Sequence, residues 1–163
     1  MNLIIDKSKT VSFSGHRTEK LKCDIKILER KLVLIINELI QKGYDTFITG
    51  GCYGFDLIVF CILNRAKTKY PHIKSIIASP FIGQEKFWEE KNKDLYKFAL
   101  EHSDYVHYIS RTYKKGVYHT RNRYMVDNSS ILVCYSNGTG GSEYTLNYAK
   151  KSGIGTINLY NKI

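Results

Sequence analysis

The stretch Tyr44-Asp45-Thr46-Phe47-Ile48-Thr49-Gly50-Gly51-Cys52-Tyr53-Gly54-Phe55-Asp56 decides the fold. A short β-rich run, Tyr44 to Thr49, stops at a glycine pair and hands over to Phe55–Lys69, a mostly apolar segment of helical length. The unit therefore reads as strand, tight turn and buried helix. The same handover occurs at two other places. Thr10 to Ser14 runs into Ser14-Gly15-His16-Arg17, and Ile131 to Tyr135 runs into Asn137-Gly138-Thr139-Gly140-Gly141-Ser142. If these runs are parallel strands, the three turns collect along one edge of a sheet. Helix N-termini there present unpaired N–H groups and a partial positive charge, and glycine lets a ligand approach the backbone. A phosphate-bearing small molecule is the natural occupant.

Working outward, Leu21 to Lys42 places Leu28, Leu32, Ile35, Ile36 and Leu39 at helical spacing and closes at Gly43, which predicts a long amphipathic helix. A third strand is expected over Ile73–Ser79, after Pro71 and ended by Pro80. Glu85–Glu101 reads as a charge-laced helix with Phe87, Trp88, Leu95, Phe98 and Ala99 inward, and Tyr105–Ile109 as a strand. Arg111–Thr120 reads as a basic, tyrosine-containing loop before a helix over Arg121–Asn128. A helix over Ser142–Ser152 and a strand over Thr156–Tyr160 complete the chain. Strand and helix alternate almost strictly, and parallel neighbours need crossover helices. The expectation is an α/β fold: one Rossmann-like domain over residues 1–163, with a mainly parallel sheet and helices on both faces. Ligands of such sheets sit beyond the carboxyl ends of the strands, where strand order reverses.

Composition bounds the function. A chain of 163 residues with 43% hydrophobic content suits one domain with a sizeable core. The net charge of +10 attracts anionic partners, nucleotides or nucleic acid, although the lysines are spread as on solvated helix faces. No apolar stretch has the length of a membrane span, and Met1–Thr10 lacks a signal-peptide core, so a cytoplasmic protein without a membrane partner is expected. Cys23, Cys52, Cys61 and Cys134 lack the paired spacing of a zinc site, and neither a metal nor a cofactor is expected. Cys61 and Cys134 lie in apolar runs, whereas Cys52 sits in a glycine turn, the position where a thiol could react.

The candidate ligand-binding residues follow from the turns. In the first, Ser14 and Gly15 lead to His16 and Arg17, where the guanidinium meets a phosphate and the imidazole is either a satisfied histidine or an acid–base group. In the second, Gly50, Gly51 and Gly54 offer amides and Asp56 either favours the helix start or accepts from a sugar hydroxyl. This loop is neither a Walker A sequence nor Gly-x-Gly-x-x-Gly. In the third, Gly140, Gly141, Ser142 and Thr145 suit a phosphate cradle, while Glu143 complements the helix dipole. Arg121 and Asn122 open a helix that can close over the ligand, and Gln84 with Trp88 forms a wall for a base.

Taken in order, Phe13-Ser14-Gly15-His16-Arg17, Phe47-Ile48-Thr49-Gly50-Gly51-x-x-Gly54-Phe55-Asp56, Gly83-Gln84 with Trp88, Arg121 to Asp127 and Gly140-Gly141-Ser142 through Tyr148-Ala149 resemble the SLOG superfamily of Rossmann-like proteins. The likeness is to its YpsA/YoqJ-like group from bacteria and phages. The resemblance implies association into homo-oligomers and kinship with three kinds of relative: sensors of nucleotide-derived signals, nucleotide N-glycosidases, and DprA-like proteins that bind single-stranded DNA. Against the LOG-type phosphoribohydrolase pattern, Arg121 and Met125 match an arginine four residues before a methionine. The pattern Pro-Gly-Gly-x-Gly-Thr-x-x-Glu fails, since no proline precedes Gly140, Glu143 and Tyr144 replace Gly and Thr, and Leu146 and Asn147 occupy the acidic positions.

The leading expectation is therefore binding of a nucleotide or ADP-ribose-like ligand, as a sensor or a sequestering protein, and in a viral setting the sequestering of a host immune signal. The alternatives are a nucleotide N-glycosidase, for which no catalytic residue is assigned, and a single-stranded DNA binder. The expected partners are a nucleotide-like small molecule and further copies of the chain, with nucleic acid less favoured.

Overall fold

A computed structural model describes residues 3–163; Met1 and Asn2, part of the segment read for a targeting signal, lie outside the described residues. Six strands form one all-parallel sheet: β1 (Thr10–Gly15), β2 (Thr46–Thr49), β3 (Lys74–Phe81), β4 (Tyr105–Ser110), β5 (Ile131–Tyr135) and β6 (Gly155–Asn158). Five α-helices connect them: α1 (Ile25–Gln41), α2 (Phe55–Lys69), α3 (Glu90–His102), α4 (Val117–Asp127) and α5 (Gly140–Ser152). The spatial order is β4-β3-β2-β1-β5-β6. Among the described residues no helix is long and apolar enough to cross a membrane.

This order explains where the helices lie. From β1 the chain steps outward through β2 and β3 to β4, and a right-handed crossover at each step puts α1, α2 and α3 on one face. The chain then returns past β1 to β5, and α4 and α5 must cover the other face. Two sets of buried side chains record the division. Phe13, Phe47, Val133 and Tyr135 pack with Leu28, Leu32 and Ile36 of α1 and Phe55, Val59 and Leu63 of α2. On the opposite face, Leu132 and Cys134 meet Val126, Leu146 and Ala149, while Ile48, Ile76 and Ala78 meet Met125. Burying each such side chain stabilises the fold by about 1.5 to 3 kcal/mol.

The core of each predicted element is present, and the differences lie at the ends. α1 begins at Ile25, where the Asp24 carboxylate accepts from the Lys26 N–H, and not at Leu21. β3 runs through Pro80 to Phe81. Pro80 lies past Ile77, the last residue of β3 paired with β2, and on the other side β4 pairs with its neighbours Ser79 and Phe81, so its missing N–H breaks no ladder. Residues 85–88 form turns, with the Lys86 N–H donating to Gly83 O and that of Trp88 to Glu85 O, and α3 starts only at Glu90. Trp88 is thus held before the helix and not within it. α4 starts at Val117, inside the segment read as loop, because Gly116 at φ 80° opens its first turn.

Gly54 lets the start of α2 pass close to the turn that follows β1. Its φ is 96°, and an added Cβ would stand 2.6 Å from the Thr18 backbone nitrogen and 2.8 Å from the His16 carbonyl oxygen. Gly54→Ala is expected to lower stability by on the order of 2 kcal/mol or more, through strain and backbone clash together. Gly153→Ala, at φ 78° with nothing within 4 Å of its added Cβ, should cost about 1 kcal/mol. Urea unfolding of both variants tests this, and equal losses would show that the close approach at Gly54 carries no energy.

Candidate functional site

The reversal of strand order falls between β1 and β5, and a cleft of about 470 Å³ opens there beyond the strand ends. Four segments build it. The end of β1 supplies Ser14 to Arg17, and a short 3-10 turn after it supplies Glu19 and Lys20. The β2–α2 segment supplies Cys52 and Asp56; α4 supplies Tyr118, His119, Arg121 and Asn122; the first turn of α5 supplies Gly140, Gly141 and Ser142.

His16 fastens two of these segments together. Its Nδ1 lies 3.0 Å from Ser142 Oγ, and its Nε2 lies 2.9 Å from both the backbone nitrogen and Oδ1 of Asn137. Burial holds its pKa below the ordinary value, so the ring is neutral at pH 7. Nε2 faces both a donor, the Asn137 N–H, and an acceptor, Asn137 Oδ1, while Nδ1 faces a hydroxyl that can give or take a proton, so either neutral tautomer finds a partner at each nitrogen. Both ring nitrogens are therefore engaged with protein, and His16 is a clasp between the β1 and β5 ends.

Arg121 also has protein partners. Nη1 donates to Gly50 O at 2.7 Å and Ala78 O at 3.3 Å, and Nε donates to Asn122 Oδ1 at 2.8 Å. Asn122 Nδ2 in turn reaches Gly141 O at 3.5 Å. The guanidinium thus braces the ends of β2 and β3 against α4, which leaves Nη2 as the edge available to a ligand. Arg17, by contrast, is exposed, with its guanidinium 5.2 Å above the Tyr53 ring.

Asp56 is buried at the floor of the cleft. One oxygen accepts from the Cys52 N–H at 3.3 Å; Oδ1 has no hydrogen-bond partner among the described residues. Burial pushes its carboxyl up to about 6, against the pull of Arg121 and of the backbone N–H groups of Cys52, Gly15 and Gly50. Burial, reinforced by this carboxylate, also pushes the Cys52 thiol up, which removes the basis for expecting a reactive cysteine. Among the described residues no three His, Cys, Asp or Glu side chains are grouped as metal ligands.

The structure brings together Ser14, Gly15, His16, Arg17, Asp56, Arg121, Asn122, Gly140, Gly141 and Ser142. The glycines of the β2–α2 turn do not line the cleft. An added Cβ at Gly50 would strike Arg121 and Asp56, Gly51 faces Ile77 and Tyr96, and Gly54 faces the β1 turn. The amides of this turn are also engaged internally, since the Cys52 N–H goes to Asp56 and the Phe55 N–H to His16 O. Thr145 is buried and donates to Gly141 O, supporting the turn from behind. Glu143 accepts from Ser136 Oγ at 2.7 Å and fixes the β5–α5 loop. Gln84 and Trp88 line a neighbouring cleft that shares Arg17, Glu19 and Tyr118 with this one. Sequence reasoning passed over Glu19, Lys20, Tyr118 and His119. The signal for the last two was Gly116 followed by Val117, Arg121 and Met125, a buried i, i+4 stripe that starts the helix one turn early.

The raised Asp56 value has a consequence for stability. Between the ordinary 3.8 and about 6, the folded protein holds a proton that the unfolded chain has released. Its contribution is full below the unfolded value and lost as pH rises through the folded one. Asp56→Asn is therefore expected to be more stable than the native protein at about pH 7.5, by roughly 2 to 3 kcal/mol, with the gain vanishing near pH 4. Melting curves across this range test it, and a pH-independent difference would contradict a buried, proton-binding carboxyl.

Comparison with known proteins places this geometry in context. The family model described as the YspA SLOG family matches residues 11–156. The SPbeta prophage-derived protein YoqJ of Bacillus subtilis (strain 168) is 37% identical over 142 residues, covering 78% of this chain and 83% of that protein. A UPF0398 protein of Bacillus cereus (strain ATCC 14579) is 29% identical over 159 residues, covering 89% of this chain and 84% of its own length. In fold alone, the chain is similar to the X-ray structure of TM1055, with a TM-score of 0.56 and 15% identity over 91% of this chain and 72% of that one. With a family match that runs from β1 to β6 and takes in all four cleft-building segments, the chain belongs to the YspA SLOG family.

Proposed function

We propose that the protein binds a nucleotide or nucleotide-derived ligand of the ADP-ribose type in the cleft between β1 and β5, and that it acts by holding this ligand, as a sensor or a sequestering protein. The observation that carries the reading is that one cleft of about 470 Å³ is lined both by groups suited to an anion and by a buried carboxyl suited to a hydroxyl. The first turn of α5 lines it at Gly140, Gly141 and Ser142, with no side-chain cap from Thr139; Lys20 Nζ stands 3.8 Å from a Cβ added at Gly140, and Arg17 lines the same cleft. Helix N-terminus and cations together favour a phosphate. Asp56, with Oδ1 unpartnered, is suited to accept from a sugar hydroxyl. The volume falls within the range of small-molecule sites.

One observation favours a second reading, hydrolysis of a nucleotide N-glycosidic bond: a buried carboxyl titrating near 6 can activate water or stabilise a developing positive centre. Single-stranded DNA binding draws support from the net charge of +10 and from the DprA-like kinship that the resemblance implies.

Thermal melting with AMP, ADP-ribose and cyclic nucleotides separates these readings. A ligand that binds only the native state at about one hundred times its Kd adds roughly 2.7 kcal/mol of stability. A raised melting temperature without release of free base is expected, and Arg17→Ala combined with Lys20→Ala should weaken binding at least about ten-fold. Accumulating free base, lost in Asp56→Asn, would replace binding with catalysis. No response to any member of the panel, alongside salt-sensitive retention of oligonucleotide, would overturn the proposal.

A further inference from the structure

Beside the switch-point cleft lies a second one of about 400 Å³, and the two share Arg17, Glu19 and Tyr118. Its wall is built from aromatic rings in edge contact. Tyr96, buried, meets Trp88 at 5.4 Å; Trp88 meets Tyr53 at 5.1 Å; the Tyr53 hydroxyl donates to Glu19 at 2.8 Å, and Arg17 lies over the Tyr53 ring. At the rim stands Phe87, 91% exposed, an aromatic ring left in water beside a concave surface. Such a ring gains by stacking on a flat partner.

Gln84 gives this cleft its chemistry. The side chain is only 6% exposed, and Nε2 donates to Ser79 Oγ at 3.4 Å while the Ser79 hydroxyl donates to Phe81 O and lies 2.9 Å from the Tyr96 hydroxyl. Its Oε1 is buried with no hydrogen-bond partner among the described residues. A buried acceptor without a donor carries its full desolvation cost, and a ligand N–H removes that cost. An oxygen in the same place on the ligand would instead set two acceptors against each other.

We propose that the ligand carries, besides its phosphate-bearing sugar, an amino-substituted heteroaromatic ring that enters this second cleft, stacks against Phe87 and donates its exocyclic amino group to Gln84 Oε1. The proposal rests on the reading of the first cleft as the phosphate and sugar site. It makes the two clefts compartments of one elongated site, joined at Arg17, and it assigns base selectivity to a residue outside the strand-order reversal.

Titration calorimetry with AMP against IMP, and CMP against UMP, tests this, since each pair differs by an amino or an oxo group at one ring position. Ribose 5-phosphate probes the first cleft alone. The amino member of at least one pair is expected to bind about ten-fold tighter or more. Gln84→Leu should abolish that preference and leave ribose 5-phosphate affinity unchanged. Phe87→Ala, at a fully solvated position that does not support the fold, should weaken the nucleotides and not ribose 5-phosphate. Equal affinities within both pairs, or a preference that survives Gln84→Leu, would overturn the base compartment while leaving the phosphate–sugar site intact. Failure of every nucleotide and of ribose 5-phosphate to bind would overturn the underlying functional reading as well.

Discussion

Everything in this molecule follows from the handedness of its crossovers. Right-handed β–α–β connections that travel outward from β1 commit α1, α2 and α3 to one face, so the chain must jump back past β1 before it can cover the other. That jump leaves β1 and β5 as neighbours whose following segments depart to opposite faces, and a crevice opens between them. No side chain creates the crevice; side chains only decide what it accepts.

The polar residues around it divide between holding and offering. His16, Asn137 and Ser142 close one seam, and Arg121 with Asn122 closes another, through hydrogen bonds that tie strand ends to helix starts. Because these bonds are buried, losing one leaves a stranded partner, so the rim is stiff. What remains uncommitted is a smaller set: Arg17, Lys20, Oδ1 of Asp56 and the first turn of α5. Rigid framing around a few open groups is how a binding site avoids the entropy of ordering itself on its ligand.

The alternation of apolar runs and helical spacing made the sheet and its helices legible, because Phe47, Ile48, Val133 and Leu132 must face helices on both sides of a parallel sheet. The glycine turns located the site edge for the same reason. Their individual roles were not legible. Gly50 is small because the Arg121 guanidinium and Asp56 occupy the space beside it, and Gly54 because the β1 turn crosses it, contacts between residues far apart in the chain. The start of α4 was obscured by its basic composition, which resembles loop until the burial of Val117, Arg121 and Met125 on one stripe is known. Whether a given arginine or histidine faces ligand or protein depends on tertiary partners that no local pattern records.

The central claim is that anions are received at the first turn of α5, in the cleft that Arg17 also lines, and not at the turn before α2. Amide nitrogen–proton NMR spectra recorded while AMP is added address it directly. The account predicts that the Gly140, Gly141 and Ser142 amides move in proportion to occupancy while those of Cys52 and Phe55, already donating to Asp56 and His16, move far less. Shifts centred on the β2–α2 turn, with the α5 amides unmoved at saturation, would contradict it.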